Sequence, residues 1–239
     1  VLRVSVLELP ARWGERDAAL AEVDRLLAAG PTDLAVVPEL ALTGYVSPRG
    51  SFDVRRFAEP AAGPTVERVA ELAARHGTAI VAPLVLAEGG ALYNAAVLVG
   101  PDRRTLAVYR KRHPWYPESW ATAAREAPPR VRLGEVIVTF AICFDAQFLA
   151  DEGEEVLAGA DLLVFPSAWV DDEDSRVPLL RTIARRFGIA IANANWGPGI
   201  ALAPGQGGSC ILDGEGSVLA AVEPSRSRRA DAAIGPGRR

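Results

Sequence analysis

The sequence predicts an α/β domain. Short aliphatic and β-branched runs alternate with helical stretches of three- and four-residue apolar spacing along the whole chain. Gly and Pro fall between these runs, where turns are needed. A length of 239 residues, 49% apolar and 23% charged, suits one globular domain with a sizeable core.

The elements follow in order. Arg3 to Leu9 reads as a strand. Asp17 to Ala29 reads as a helix, with Leu20, Val23, Leu26 and Leu27 on its apolar face and Gly30-Pro31 as its stop. Leu34 to Val37 is a buried strand that ends at Pro38-Glu39, and Thr65 to Arg75 is a second helix stopped near Gly77. Ala79 to Val85, Ala91 to Val99 and Thr105 to Tyr109 read as successive strands. The second half repeats the style without a visible sequence repeat. Glu135 to Ile142 is a strand, Glu152 to Leu157 a short helix and Leu162 to Phe165 a strand. Val177 to Phe187 is a helix and Ile189 to Asn193 a strand. Gly208 to Leu212 and Ser217 to Val222 form a hairpin around Asp213-Gly214. The expected organisation is one domain over 1–239, with 224–239, polar and Arg-rich, in part a loose tail.

Composition narrows the partners. The formal net charge is −4 and there is no basic block, which argues against nucleic acid. No window of about 18 uncharged apolar residues exists, so no membrane span is expected. The opening VLRVSVLELP lacks a long apolar stretch and a small-residue cleavage site. Two cysteines, Cys143 and Cys210, form no disulfide framework. The expectation is a cytoplasmic protein acting on a small molecule.

One basic residue stands apart. Among the 26 Lys and Arg residues, Lys111 is the only lysine. Arg-rich coding accounts for the other positions. At 111 the reading divides between a chance survivor and a site that needs a compact ammonium, which a planar guanidinium cannot replace.

Three reactive residues fall just beyond predicted strands: Glu39 after LAVVP, Lys111 after TLAVYR and Cys143 after VIVTFAI. Functional groups gather at strand ends in α/β folds. A thiolate that attacks a carbonyl, a carboxylate that takes its proton and a cation that stabilises the oxyanion would make a covalent catalyst. Taken singly, Glu39 also reads as a loop acid and Cys143 as a small buried hydrophobe.

The flanking motifs carry a resemblance. Pro38-Glu39-Leu40-Ala41-Leu42-Thr43-Gly44-Tyr45, then Tyr109-Arg110-Lys111-Arg112-His113, then Ile142-Cys143-Phe144-Asp145 resemble the nitrilase superfamily of carbon–nitrogen hydrolases in content and order. Phe165-Pro166-Ser167-Ala168-Trp169, the Ala192 to Asn195 region and Gly207-Gly208-Ser209 extend the likeness from Val1 to about Val222. The resemblance implies an α-β-β-α sandwich, assembled as a homodimer or larger homo-oligomer, and hydrolysis of a small non-peptide amide or carbamoyl bond. It implies Glu39 as general base, Cys143 as nucleophile, Lys111 as stabiliser of the tetrahedral intermediate and the Phe144 N–H as second oxyanion donor. It also implies a second glutamate after the lysine: Glu118, in Trp115-Tyr116-Pro117-Glu118, is the first candidate and Glu126 the weaker one. Tyr45 and Trp169 are the pocket candidates. No metal or organic cofactor is implied.

The chain departs from the family pattern after the nucleophile. Gln147 stands where the family carries an arginine, and Leu149-Ala150 where it carries Pro-Glu. Nitrile-cleaving relatives usually have Cys-Trp-Glu where this chain has Cys143-Phe144-Asp145, which favours amides. Nitrile hydrolysis, acyl transfer and a non-catalytic scaffold remain as alternatives. His76 and His113 show no metal spacing. His76 is expected near a helix end and solvated, and His113, two residues after Lys111, in a structural role, with lining the site as its alternative. The acidic run Asp171-Asp172-Glu173-Asp174 fails the EF-hand pattern. It reads either as a solvated loop or as a border of the site that favours a cationic substrate.

Overall fold

The computed structural model describes residues 1–171, 173–199, 205–223 and 228–237. In the first half, β1 (Leu2–Leu7), α1 (Arg16–Leu27), β2 (Leu34–Val36), α2 (Pro64–His76) and β3 (Ala79–Glu88) run strand–helix–strand–helix–strand. β4 (Ala91–Val99) and β5 (Thr105–Arg110) follow. The second half opens on β6 (Val131–Leu133) and β7 (Val136–Phe140). It continues through a 3₁₀ segment (Cys143–Phe148), α3 (Leu149–Val156), β8 (Leu162–Pro166), α4 (Arg176–Phe187) and β9 (Ala190–Ala194). β10 (Cys210–Leu212), β11 (Val218–Ala221) and β12 (Arg229–Ile234) complete it.

Two six-stranded sheets result, ordered β12-β1-β2-β3-β4-β5 and β11-β10-β9-β8-β7-β6. In the first, β1, β2 and β3 are parallel and β4 and β5 return antiparallel. In the second, β7, β8 and β9 are parallel and β10 and β11 return antiparallel. The two halves therefore repeat one topology that no sequence repeat announces.

Strand alternation sorts the side chains into layers. Val4, Val6, Leu34 and Val36 from the first sheet meet Val138, Phe140, Leu162 and Val164 from the second in a central core. The opposite face of the first sheet, with Leu7, Ala35 and Ile80, is covered by Leu20, Val23 and Leu27 of α1 and Val66, Val69 and Ala73 of α2. Leu163, Phe165 and Ile191 on the outer face of the second sheet are covered by Val156 of α3 and Leu180, Ile183 and Ala184 of α4. This is the α-β-β-α sandwich the resemblance implied. Among the described residues no helix is long and apolar enough to cross a membrane.

Two corrections concern strands. The expected tail is not loose at Arg229–Ile234, which pairs antiparallel with β1 along its whole length. The Arg229 guanidinium also donates to the carbonyls of Leu26, Leu27 and Gly30 at 2.8, 3.3 and 2.9 Å, closing the C-terminal end of α1. Residues 224–227 and 238–239 of that segment lie outside the described residues. β6 was not expected either; three residues with a charge at the centre give little periodic signal.

Candidate functional site

The site lies where strands of both sheets end. β2 is wholly buried, and after Val37 and Pro38 the chain turns at Glu39, whose side chain is fully buried. Leu40 takes a left-handed φ of 48°, and Gly44, at φ 100°, lies against the Arg12 carbonyl, which an added Cβ would meet at 2.3 Å. The turn is therefore closed by a residue that only Gly can supply. The Trp196 indole N–H donates to the Glu39 carbonyl at 2.8 Å and ties the turn to the second sheet.

Lys111 follows β5. The alternation that sends Tyr109 into the core between the sheets sends Lys111 the same way, and it is fully buried. Its amide donates to the Asn94 carbonyl of β4 at 2.8 Å, so Asn94 faces it across the ladder. Lys111 Nζ donates to Glu39 Oε1 at 2.7 Å and to Glu118 Oε1 at 2.8 Å. Asn94 Nδ2 donates to the same two oxygens at 2.7 and 3.2 Å. Tyr45 Oη donates to Glu118 Oε1 at 2.5 Å, and the Trp115 amide donates to Glu118 Oε2 at 3.2 Å.

Burial sets the charges. It pulls the Lys111 pKa down, but Glu39 and Glu118 outweigh it, and the ammonium is held above its ordinary range. Burial raises the Glu39 pKa despite the attraction of Lys111. Burial also pushes the Tyr45 phenol well up, aided by Glu39 and Glu118, so it remains a donor.

Cys143 comes from the other sheet, three residues beyond β7. It is half-buried and takes a left-handed φ of 46° at the head of the 3₁₀ segment. One carboxylate fixes this turn. Asp145 Oδ2 accepts the Ile142 amide at 2.8 Å and the Tyr109 hydroxyl at 2.7 Å, while Oδ1 accepts the His113 amide at 2.8 Å. Tyr109 and His113 flank Lys111 at two residues on either side, so Asp145 joins the cysteine turn to the lysine strand. Burial pushes the Cys143 thiol well above its ordinary pKa, and Glu39 adds to this. The group is therefore a thiol at neutral pH and needs a base before it can attack.

The third strand end belongs to β8. The Ala168 amide donates to Glu39 Oε2 at 3.0 Å. Asn195 Oδ1 holds this loop, accepting from Ser167 Oγ at 2.9 Å and the Trp169 amide at 2.8 Å. Cys143 opens into a cavity of about 280 Å³ lined by Tyr45, Trp115, Phe144, Gln147, Trp169 and Asp171.

The residues singled out from the sequence fall into two groups around the cysteine. Glu39, Lys111 and Glu118 form one buried cluster. Cys143, Phe144, Tyr45 and Trp169 border one cavity. Glu126 is exposed, so the second glutamate beside the lysine is Glu118. His76 was expected solvated near a helix end; it does end α2, but its side chain is only 15% exposed, because the ring turns in to bond Asp24 at 2.6 Å. His113 stacks on Phe148 at 3.8 Å between centroids. Of the acidic run, Asp171 reaches the cavity and accepts from the Trp169 indole at 2.8 Å, whereas Asp174 pairs with Arg176 at 3.3 Å. Asp172 lies outside the described residues. Sequence reasoning passed over Asn94 and Ala168. Asn94 carried a readable signal, one amide at an inward position of the apolar strand ALYNAAVLV. Ala168 carried none, because its contribution is a backbone N–H.

Comparison with known proteins decides the family: the carbon–nitrogen hydrolase model matches residues 3–234. The chain belongs to the carbon–nitrogen hydrolase family. It is 32% identical over 171 residues to a protein of Pseudomonas protegens described as a hydrolase in the pqqF 5′ region, covering 70% of this chain and 59% of that one. It is 28% identical to an (R)-stereoselective amidase of a Pseudomonas species, covering 71% and 61%. The chain thus spans about three-fifths of the length of these two relatives. Among solved structures, a carbon–nitrogen hydrolase superfamily protein of Xanthomonas campestris superposes with a TM-score of 0.84 at 22% identity, covering 98% and 90%. That likeness concerns the fold.

Proposed function

We propose that this chain hydrolyses a small non-peptide amide through a thioester on Cys143. The observation that carries the reading is one ammonium between two buried carboxylates, Lys111 between Glu39 and Glu118, beside the cavity that holds the cysteine.

Glu39 takes the thiol proton as the sulfur forms a bond to the substrate carbonyl carbon, and the carbonyl π pair moves onto oxygen. An ammonium has three N–H donors. Two of those on Lys111 go to carboxylates, which leaves the third for the oxyanion. The Phe144 N–H, which follows the nucleophile at the start of the 3₁₀ segment, is the second donor. Collapse of the intermediate breaks the C–N bond, and the amine leaves with the proton from Glu39. Water then attacks the thioester, Glu39 takes its proton, and the C–S bond breaks to release acid and thiol. Throughout, a proton moving from Cys143 to Glu39 leaves the cluster's net charge unchanged. Ionising the thiol to solvent would add a buried negative charge, which fits its raised pKa.

A carbamoyl compound would follow the same course. The resemblance also supports a homodimer or larger assembly, for which light scattering should give at least twice the mass of one chain. The experiment on function measures ammonia or amine release across a panel of small amides, carbamoyl compounds and nitriles. Release from amides is expected; turnover of nitriles alone would overturn the amide reading.

A further inference from the structure

We infer that Asn94 is a positioning residue that holds Glu39 Oε1 and so leaves Glu39 Oε2 as the atom that takes the proton. This rests on the reading above and extends it to a residue outside the proposed catalytic set.

Two carboxylates share one lysine, and nothing in that sharing says which should accept a proton. The hydrogen bonds break the tie. Glu118 Oε1 accepts from Tyr45, Lys111 and Asn94, and its Oε2 from the Trp115 amide. Among the described residues, Glu39 Oε1 accepts from Lys111 and Asn94, and its Oε2 only from the Ala168 amide. Donors aimed at a carboxylate favour its charged form. Glu118, with more of them, is the more fully engaged carboxylate, and Glu39 is the one with an oxygen left open. Within Glu39, Oε1 is covered by two donors. Among the described residues Oε2 has one donor, the Ala168 amide, which leaves it open to a proton.

Asn94 makes this arrangement stiff. It is fully buried on β4, and one –NH₂ group spans the two carboxylates. Its Oδ1 is buried without a hydrogen-bond partner. A buried amide that leaves its acceptor unpaired while committing both donors to anions is held in one orientation, because a flip would set its oxygen against carboxylate oxygens. Leu at this position would satisfy the strand and its core; the amide has a use only toward Glu39 and Glu118. The charged or titratable groups that face Glu39 are Lys111 after β5, Glu118 from the loop beyond it, Tyr45 from the turn after β2, and Cys143 from the second sheet.

The test is the pH dependence of kcat/KM for Asn94→Ala and Asn94→Asp, with folding checked by circular dichroism. Losing a donor raises the pKa of the base, so the acid limb should move up by roughly half to one pH unit in Asn94→Ala. It should move further in the near-isosteric Asn94→Asp, which adds a like charge and keeps the test open if the alanine variant fails to fold. A uniform drop in rate with the limb unmoved would reduce Asn94 to a structural residue and overturn the inference. Failure of the underlying reading looks different: Glu39→Gln would leave the wild-type acid limb and rate intact.

Discussion

The two halves of the molecule repeat one topology and contribute opposite things to the site. The first half supplies charge: Glu39, Lys111, Glu118 and Asn94 are buried and joined by hydrogen bonds of 2.7 to 3.2 Å. The second half supplies a nucleophile on a strained turn. Each half also places one non-Gly left-handed residue just past a parallel strand, Leu40 after β2 and Cys143 after β7. Such a residue costs on the order of 1–2 kcal/mol. At Leu40, a fully buried side chain in the core under α1 and α2 offsets the cost. At Cys143, which is half-buried, the Asp145 carboxylate and its three donors hold the turn. Packing secures the Glu39 turn, and hydrogen bonds secure the Cys143 turn.

Substitutions can break this comparison, beginning with the most damaging. Cys143→Ala removes the only nucleophile in the scheme, so turnover should fall to background in an assay of amine release while circular dichroism stays native. Lys111→Arg keeps the charge but replaces a compact ammonium with a longer planar group. Loss of one oxyanion donor should lower kcat by roughly 10²–10³-fold. A folded variant that keeps a tenth of the wild-type rate would remove Lys111 from the mechanism. Asp145→Asn offers three donors one carbonyl oxygen instead of two carboxylate oxygens. It should cost about 1–3 kcal/mol in thermal unfolding, and a misplaced thiol should lower kcat by up to about 10²-fold. Unchanged kcat with lowered stability would mean that the turn holds without its clamp.

The smallest effects separate the two strained residues. Leu40→Gly relieves the backbone but empties a packed site, and should destabilise by roughly 2–4 kcal/mol. Cys143→Gly should instead be more stable than Cys143→Ala by about 0.5–1 kcal/mol, relief of strain exceeding the entropy Gly adds to the unfolded chain. Denaturant titration of the three variants reads both. If Leu40→Gly were the stabilising change, the division between packing and hydrogen bonding would be reversed.

Much of this was legible in the sequence, for physical reasons. Apolar periodicity marked the helices and apolar runs marked most strands, and Ala91–Val99 has the bounds that the Gly and Pro turns around it predict. Lys111 was exposed by the arginine around it, and Glu39 and Cys143 by their places at strand ends. β12 was hidden because Arg229 and Asp231 interrupt a short edge strand, whose pairing with β1 is contact across more than 200 residues. Glu118 was already the first candidate in the sequence, and the loop path brings its carboxylate to 2.8 Å of Lys111 while Glu126 stays in solvent. The bond from the Ala168 amide to Glu39 has no side chain to betray it.

The central claim is that the acyl group passes through Cys143, with a base on the other half of the molecule. Intact-mass and peptide mass spectrometry of the wild-type enzyme, quenched during turnover of a slow amide, tests it most directly. The account predicts one acyl adduct, located on Cys143, that persists longer in Glu39→Gln if it forms there. An adduct on Cys210 or on a serine, or turnover that continues in Cys143→Ala, would contradict it.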